Sequence, residues 1–252
     1  MKVCAFTSVK DGLARGCCIL ECVASLIHEV DEWWWADGFS SDGTWELLQK
    51  IAGVNPKIKL MQEAWMKSSP CGEAIAEAFN IPLNKCDGQV AWEVQADEVY
   101  EPGIGPEVRN VFSDPEVGSA AVVFKTLWRW DKLLMEKGWT AWRVRISRTG
   151  DKCRAMGDAS GMNIIPRSVK ISKAVCWNLG YSFTGQANMK WHQNMPLHFN
   201  FKGENPNPEE TSYFFPANPK TEDPGILPDL VKRLMGSSFY SPNMDLLDLI
   251  RG

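Results

Sequence analysis

Residues 1–100 alternate between apolar runs of strand length and segments of helical period, and few folds accommodate that alternation. Residues 2–9 are a short run of small and branched side chains, and residues 14–28 set Ile19, Cys22, Val23, Leu26 and Ile27 at helical spacing. A second apolar run spans 32–36, after which the turn formers from Asp37 to Thr44 lead into a helix over 45–51. Residues 57–61 predict a third strand, 72–79 a helix with Ala74, Ile75 and Ala78 inward, and 89–94 a fourth strand. Repeated strand–helix units specify an α/β fold, with a mainly parallel sheet covered by helices on both faces.

In sheets of this kind ligands bind beyond the carboxyl ends of the strands. Asp37, Asp42, Asp97 and Glu98 all fall at predicted strand ends or in the loops just after them. Carboxylates converging on one crevice repel each other, and a hard divalent cation such as Mg2+ or Mn2+ relieves the repulsion while bridging the phosphates of a nucleotide. The glycine-rich phosphate loops of other nucleotide folds are missing, since neither G-x-x-x-x-G-K-[ST] nor G-x-G-x-x-G after the first strand occurs.

The Thr7-Ser8 strand end, the segment Ala36-Asp37-Gly38-Phe39-Ser40-Ser41-Asp42-Gly43-Thr44 and the segment Val94-Gln95-Ala96-Asp97-Glu98-Val99 together resemble glycosyltransferase family 2, the inverting enzymes of GT-A fold. The resemblance covers roughly residues 2–100. It implies a single GT-A domain, a nucleotide-sugar donor, usually a uridine diphosphate sugar, and Mn2+ or Mg2+ as cofactor. By that analogy Thr7 and Val9 line the base pocket, Asp37 bonds the base or ribose, and Asp97 ligates the metal. Two positions depart from the pattern. Gln95 stands where the first acid of the D-x-D signature belongs, and Asn178, in Asn178-Leu179-Gly180-Tyr181 before Lys190, stands where some members carry a histidine. A histidine completing the metal site is then His192 or His198, with His192 preferred.

Inverting transfer needs a base for the acceptor hydroxyl and a cation for the departing diphosphate. Asp158, among the small residues Gly157, Ala159 and Ser160, is the candidate base, with Asp151 and Asp131 as substitutes. Asp42 reads as a turn or cap residue, and His28 as a surface residue at a helix end.

Net charge divides the chain. Residues 1–124 carry 9 basic and 19 acidic side chains, 125–173 carry 12 and 4, and 174–252 carry 6 and 8. The acidic part coincides with the donor half expected over 1–124, and the basic part opens the acceptor half expected over 125–252. In the basic part Trp128, Trp130, Trp139 and Trp142 interleave with Arg129, Arg143, Arg145 and Arg148. Aromatics between cations stack on bases while the cations meet phosphates. The expected acceptor contacts are therefore Trp128, Arg129, Trp130, Arg143, Arg145 and Lys190, and the acceptor leans toward hydroxymethylated bases of bacteriophage DNA. Tryptophan also serves as a sugar platform, so a glycan or lipopolysaccharide acceptor stays open, as does a non-catalytic binding protein of the same fold.

Composition sets the remaining expectations. No stretch approaches the ~20 apolar residues of a membrane-spanning helix, so a cytoplasmic protein without a membrane partner is expected. Eight cysteines, with Cys17 and Cys18 adjacent and no C-x-x-C pair, read as reduced core thiols and not as a disulfide or zinc framework. Residues 205–228, rich in Pro and Asn, read as a surface loop before short terminal helices.

Overall fold

Every residue of the first strand, β1 (Val3–Val9), is buried, as a run apolar on both faces requires at the centre of a sheet. The computed structural model describes residues 1–65, 73–128, 132–135, 142–150, 153–157, 159, 161–183, 220–237 and 239–252, with the backbone alone at 128, 132–135, 181 and 220–222. After β1 come α1 (Ile19–Leu26), β2 (Glu32–Asp37), α2 (Thr44–Val54), β3 (Ile58–Gln62), α3 (Glu73–Leu83) and β4 (Val90–Glu93). The chain continues through β5 (Glu98–Tyr100), α4 (Ile104–Val111), β6 (Ser119–Trp128), β7 (Lys132–Met135) and β8 (Trp142–Arg148). A small hairpin, β9 (Ala155–Met156) and β10 (Gly161–Met162), precedes the long β11 (Ser168–Tyr181), β12 (Lys220–Glu222), α5 (Asp229–Lys232) and α6 (Leu246–Ile250).

The main sheet has ten strands, in the order β12-β7-β6-β8-β4-β1-β2-β3, with β11 beside β6 and β5 beside β11. Strands β3, β2, β1 and β4 are mutually parallel, which is the half read from the strand–helix alternation. Beyond β4 the neighbours β8, β6 and β7 run antiparallel to one another, while β11 returns parallel to β6. One face is covered by α1, α2, α4 and α6 over a core that includes Trp33, Trp35 and Trp92. The other face is covered by α3 and the β9–β10 hairpin, which close over Phe6 and Ala91. A third cluster packs α5 against Trp177, Leu179 and Phe183. The fold is the α/β type expected, in one domain, and the buried tryptophans belong to its core.

Two boundaries differ from the periodicity. Helix α1 begins at Ile19 instead of residue 14, because Asp11 and Gly16 take positive φ (48° and 69°) and turn residues 11–18 into a loop. Within the expected loop 205–228, Lys220–Glu222 pairs antiparallel with β7 as β12, and residues 205–219 lie outside the described residues. Cys18 and Cys22 are fully buried, as expected of packing thiols. His28 Nε2 donates to Leu249 O (2.8 Å), which ties the end of α1 to α6 at the surface. No described helix is long and apolar enough to cross a membrane.

The reading of all cysteines as thiols is corrected: Cys4 and Cys86 form a disulfide across 82 residues, with Cα atoms 5.7 Å apart. The cause is long-range. β1–β4 pairing sets Cys4 opposite Ala91, and the turn after α3 returns Cys86 to the same edge. Cys17, Cys18, Cys22, Cys153 and Cys176 remain buried thiols. Because the bridge closes a loop holding most of the parallel half, Cys86→Ser should lower unfolding stability by about 2–4 kcal/mol. Urea titration of wild type with and without reductant should reproduce that loss, and no change with either treatment would contradict it.

Candidate functional site

Strand order gathers the acidic ends. With β1 between β4 and β2, the pairs Val9↔Asp37 and Asp37↔Gln62 align three strand ends at the carboxyl edge. The loops after β1 and β2 are then laced together. Asp11 N donates to Ser40 Oγ (2.7 Å), Ser41 N to Asp11 Oδ1 (2.9 Å) and Gly38 N to Val9 O (2.8 Å). Lys10 Nζ donates to Gly38 O (2.8 Å). Asp42 accepts from Thr44 N (3.0 Å) and from Ala14 N (2.7 Å), the turn role read for it, while Gly43 holds the N-cap position of α2.

Asp37 and Thr7 are both fully enclosed, and their partners separate them. Thr7 Oγ1 donates to Val94 O (2.7 Å) and accepts from Trp33 Nε1 (2.9 Å), so its hydroxyl is used within the core. Asp37 Oδ2 accepts from Ser40 N and Gln62 Nε2, both at 3.0 Å, whereas Oδ1 is buried with no partner. A buried carboxylate oxygen left unbonded costs about 1–3 kcal/mol, more when charged, unless a ligand satisfies it. Val9 stands beside Asp37 in the register and is almost wholly buried.

Asp97 lies just past β4 and is also nearly enclosed. Strand β11 brings Asn178 to it: Asn178 Nδ2 donates to Asp97 Oδ1 (3.3 Å), and Leu179 N to Asp97 O (2.8 Å). Asn178 was noted in the sequence only as a missing histidine, and its contact with Asp97 depends on the β11–β5 register, which local sequence does not report. Gln95, in place of the first acid of the signature, points its amide elsewhere and donates from Nε2 to Ala159 O.

Arg145 departs furthest from expectation. It is the one basic residue among the buried described residues, and its guanidinium bonds Glu93 through Nη1 and Glu98 through Nη2. Nη1 also donates to Ala159 O (2.8 Å). The assignment of Arg145 to acceptor contact is therefore corrected. Alternation along β8 gives a face and not a depth: Arg145, left as the extra residue of a β-bulge between Ala120↔Ile146 and Ala121↔Val144, is 1% exposed. Arg143 and Arg145 do share a face, their guanidiniums lying 5.3 and 5.4 Å from the Phe124 ring centroid. Arg148 is likewise occupied, donating to Val117 O, Phe112 O and Asp114 O. Burial raises the Glu98 carboxyl above its usual range despite Arg145. Burial acts to lower the Arg145 guanidinium, but Glu98 and Glu93 outweigh it and hold the group above its ordinary value.

A divalent cation fits this edge in one way, through Asp97 together with a donor diphosphate and water, because Mg2+-like ions commonly take only one or two protein carboxylates beside phosphates. Among the described residues the one gathering of three metal-binding groups is Cys4, Glu32 and Cys86 at the opposite edge, where the disulfide engages both sulfurs, and Asp97 belongs to none. Asp158, Asp151, Asp131, Arg129, Trp130, Lys190, His192 and His198 lie outside the described residues, and for Trp128 only the backbone is described. A surface cavity of about 500 Å³, lined among others by Ser25, Tyr100, Leu227 and Lys232, includes none of Val9, Asp37 or Asp97.

The model of one protein family, glycosyl transferase family 2, matches residues 14–168, more than half of the chain and spanning the edge just described. The chain belongs to glycosyl transferase family 2. No curated protein matches it. Among solved structures it is similar to S. aureus TarS 1-349, at 13% identity and a TM-score of 0.48 over 76% of this chain and 64% of that one. The same TarS portion with UDP gives 16% identity, a TM-score of 0.40, and coverage of 50% and 36%. The mannosyltransferase PcManGT of Pyrobaculum calidifontis, in complex with GDP-Man and Mn2+, gives 16% identity, a TM-score of 0.46, and coverage of 70% and 56%. The chain thus spans between about a third and two thirds of these proteins.

The Arg145 fork makes a stability test of the family member's acidic edge. Arg145→Ala leaves Glu93 and Glu98 buried without their cation and should cost about 3–5 kcal/mol at neutral pH. Glu98 holds its proton more tightly folded than unfolded, so ionising it works against the fold as pH rises through the carboxylate range. The deficit of Arg145→Ala should therefore shrink as pH falls, and denaturant titrations at neutral pH and about pH 5 measure it. An equal deficit at both would be inconsistent with this role.

Proposed function

We propose that this chain transfers a sugar, with inversion, from a nucleotide-sugar donor to a hydroxyl acceptor. The observation that carries the reading is the unpartnered Oδ1 of Asp37, enclosed at the carboxyl edge of a family 2 sheet where a nucleotide base or ribose supplies the missing hydrogen-bond donor. A uridine diphosphate sugar is the proposed donor. Residues 1–124 form the donor half, with Val9 as its apolar wall, and residues 125–252 shape the acceptor half.

Asp97 holds Mn2+ or Mg2+ in this reading, and His192 is the proposed further ligand. The ion offsets negative charge on the diphosphate when bound. Asn178 orients the Asp97 carboxylate through its amide. Asp158 is the proposed base that takes the acceptor proton. The next residue, Ala159, accepts from Gln95, two residues from Asp97, and that bond supports the choice. The acceptor reaches the site along Trp128, Arg129, Trp130, Arg143 and Lys190. Hydroxymethylated DNA loses much of its case as acceptor, because Arg145 and Arg148 spend their guanidinium groups inside the protein and leave fewer cations for phosphates.

Calorimetric titration with UDP in the presence and absence of Mn2+ tests the donor site. Wild type should bind more tightly with the ion, and Asp97→Ala should abolish the difference, a weakening of at least about tenfold or 1.4 kcal/mol. Metal-dependent binding that survives in Asp97→Ala overturns the assignment. For the acceptor step, Asp158→Asn should keep UDP affinity while losing transfer, read by the anomeric configuration of products from pooled nucleotide sugars. Full transfer in that variant refutes the base.

A further inference from the structure

At the amino edge of the sheet, β1 and β2 set Cys4 opposite Glu32 in parallel register, so both side chains point to the face that α3 covers. The turn after α3 brings Cys86 to the same spot. The two sulfurs and a carboxylate oxygen of Glu32 all lie within 4.8 Å of one another. The disulfide joins the sulfurs and leaves Glu32 half used. Its Oε2 takes Lys2 Nζ (2.9 Å), which also pairs with the exposed Asp87, whereas its Oε1 is buried with no partner. A disulfide has no S–H to offer that oxygen. The chain beyond Cys86 closes tightly on β1, since a Cβ on Gly88 would stand 3.0 Å from Lys2 O and 3.1 Å from Cys4 Cβ.

Two thiolates and a carboxylate suit zinc(II), and not the hard Mg2+ or Mn2+ that accompanies a diphosphate. We propose that Cys4, Cys86 and Glu32, once the bridge is reduced, form a zinc site with water in the fourth position. The site is separate from the donor edge and does not depend on the donor reading. Reduction by a dithiol breaks the S–S bond, moves two electrons and two protons onto Cys4 and Cys86, and leaves the dithiol as its own disulfide. Zinc(II) then bonds both sulfurs as thiolates and releases their protons to solvent, with its oxidation state unchanged. Three anionic ligands about a divalent ion leave one negative charge, and Lys2 stands beside Glu32 to offset it. Cys86 is partly exposed between the exposed Lys85 and Asp87, which leaves a way in for reductant and ion. Bridge and ion are alternatives at one spot: either ties β1 to the turn after α3, and the ion takes in β2 as well. The chain thus keeps a cross-link there in oxidising and in reducing surroundings.

The test is zinc titration, against a chromophoric chelator, of protein reduced with dithiothreitol and freed of it under argon. Reduced wild type should take up a single ion per chain and melt at a higher temperature with zinc than with chelator. Cobalt(II) in its place should give a thiolate-to-metal charge-transfer band. Cys86→Ser is compared with reduced wild type, because neither carries the bridge, and should bind zinc at least about tenfold more weakly; removing even a residue that merely orients a ligand costs about that much. Glu32→Gln keeps both sulfurs and should lose a similar factor. No uptake by reduced wild type overturns the site. Zinc held as tightly by Cys86→Ser, or by oxidised wild type, puts the ion on other groups and overturns it too. Unaltered affinity in Glu32→Gln removes the carboxylate ligand and with it the three-residue site.

Discussion

The Arg145 guanidinium, closed between Glu93 and Glu98, is the interaction on which the acidic edge depends. Two buried carboxylates next to Asp97 would each carry a large desolvation cost, and one planar cation with several donors answers both. The same group reaches Ala159, so β8, the end of β4, the start of β5 and the β9–β10 turn meet at a single side chain. Tyr100 adds a bond from its hydroxyl to Glu98 Oε2 (3.2 Å). Glu93 and Glu98 are thereby engaged inside the protein, beside the edge where Asp37 and Asp97 lie buried.

The parallel half of the fold was readable because strands buried on both faces must be apolar throughout. Residues 2–9 and 32–36 could hardly be anything else, and β1 and β2 coincide with them to within a residue at each end. The start of α1 was misplaced because the apolar period continues through a loop whose shape is decided by its bonds to the β2–α2 loop, a contact between segments some thirty residues apart. Asp37 and Asp97 stand at or just past strand ends, as their motifs indicate. Arg145 was misjudged because alternation reports a face and not a depth: it shares that face with Arg143 but is enclosed there between Glu93 and Glu98. Cys4 and Cys86 gave no signal at all, since their meeting is a product of the finished sheet.

The two departures from the family pattern share a chemistry. Gln95 and Asn178 each put a neutral amide where an acid or a histidine is expected, and each amide donates to a neighbour, Ala159 O in one case and Asp97 Oδ1 in the other. Donors that position the chain have replaced groups able to ligate. Of the two, Asn178 contacts Asp97 itself, and Gln95 ties the chain before it to the β9–β10 turn.

The covalent link between Cys4 and Cys86 lies at the amino edge of the sheet, across the strands from Asp37 and Asp97. The loop it closes nevertheless carries the β1–α1 and β2–α2 loops of the carboxyl edge within it. A bond at one end of the strands thus limits how far the unfolded chain can scatter the segments that frame the other end.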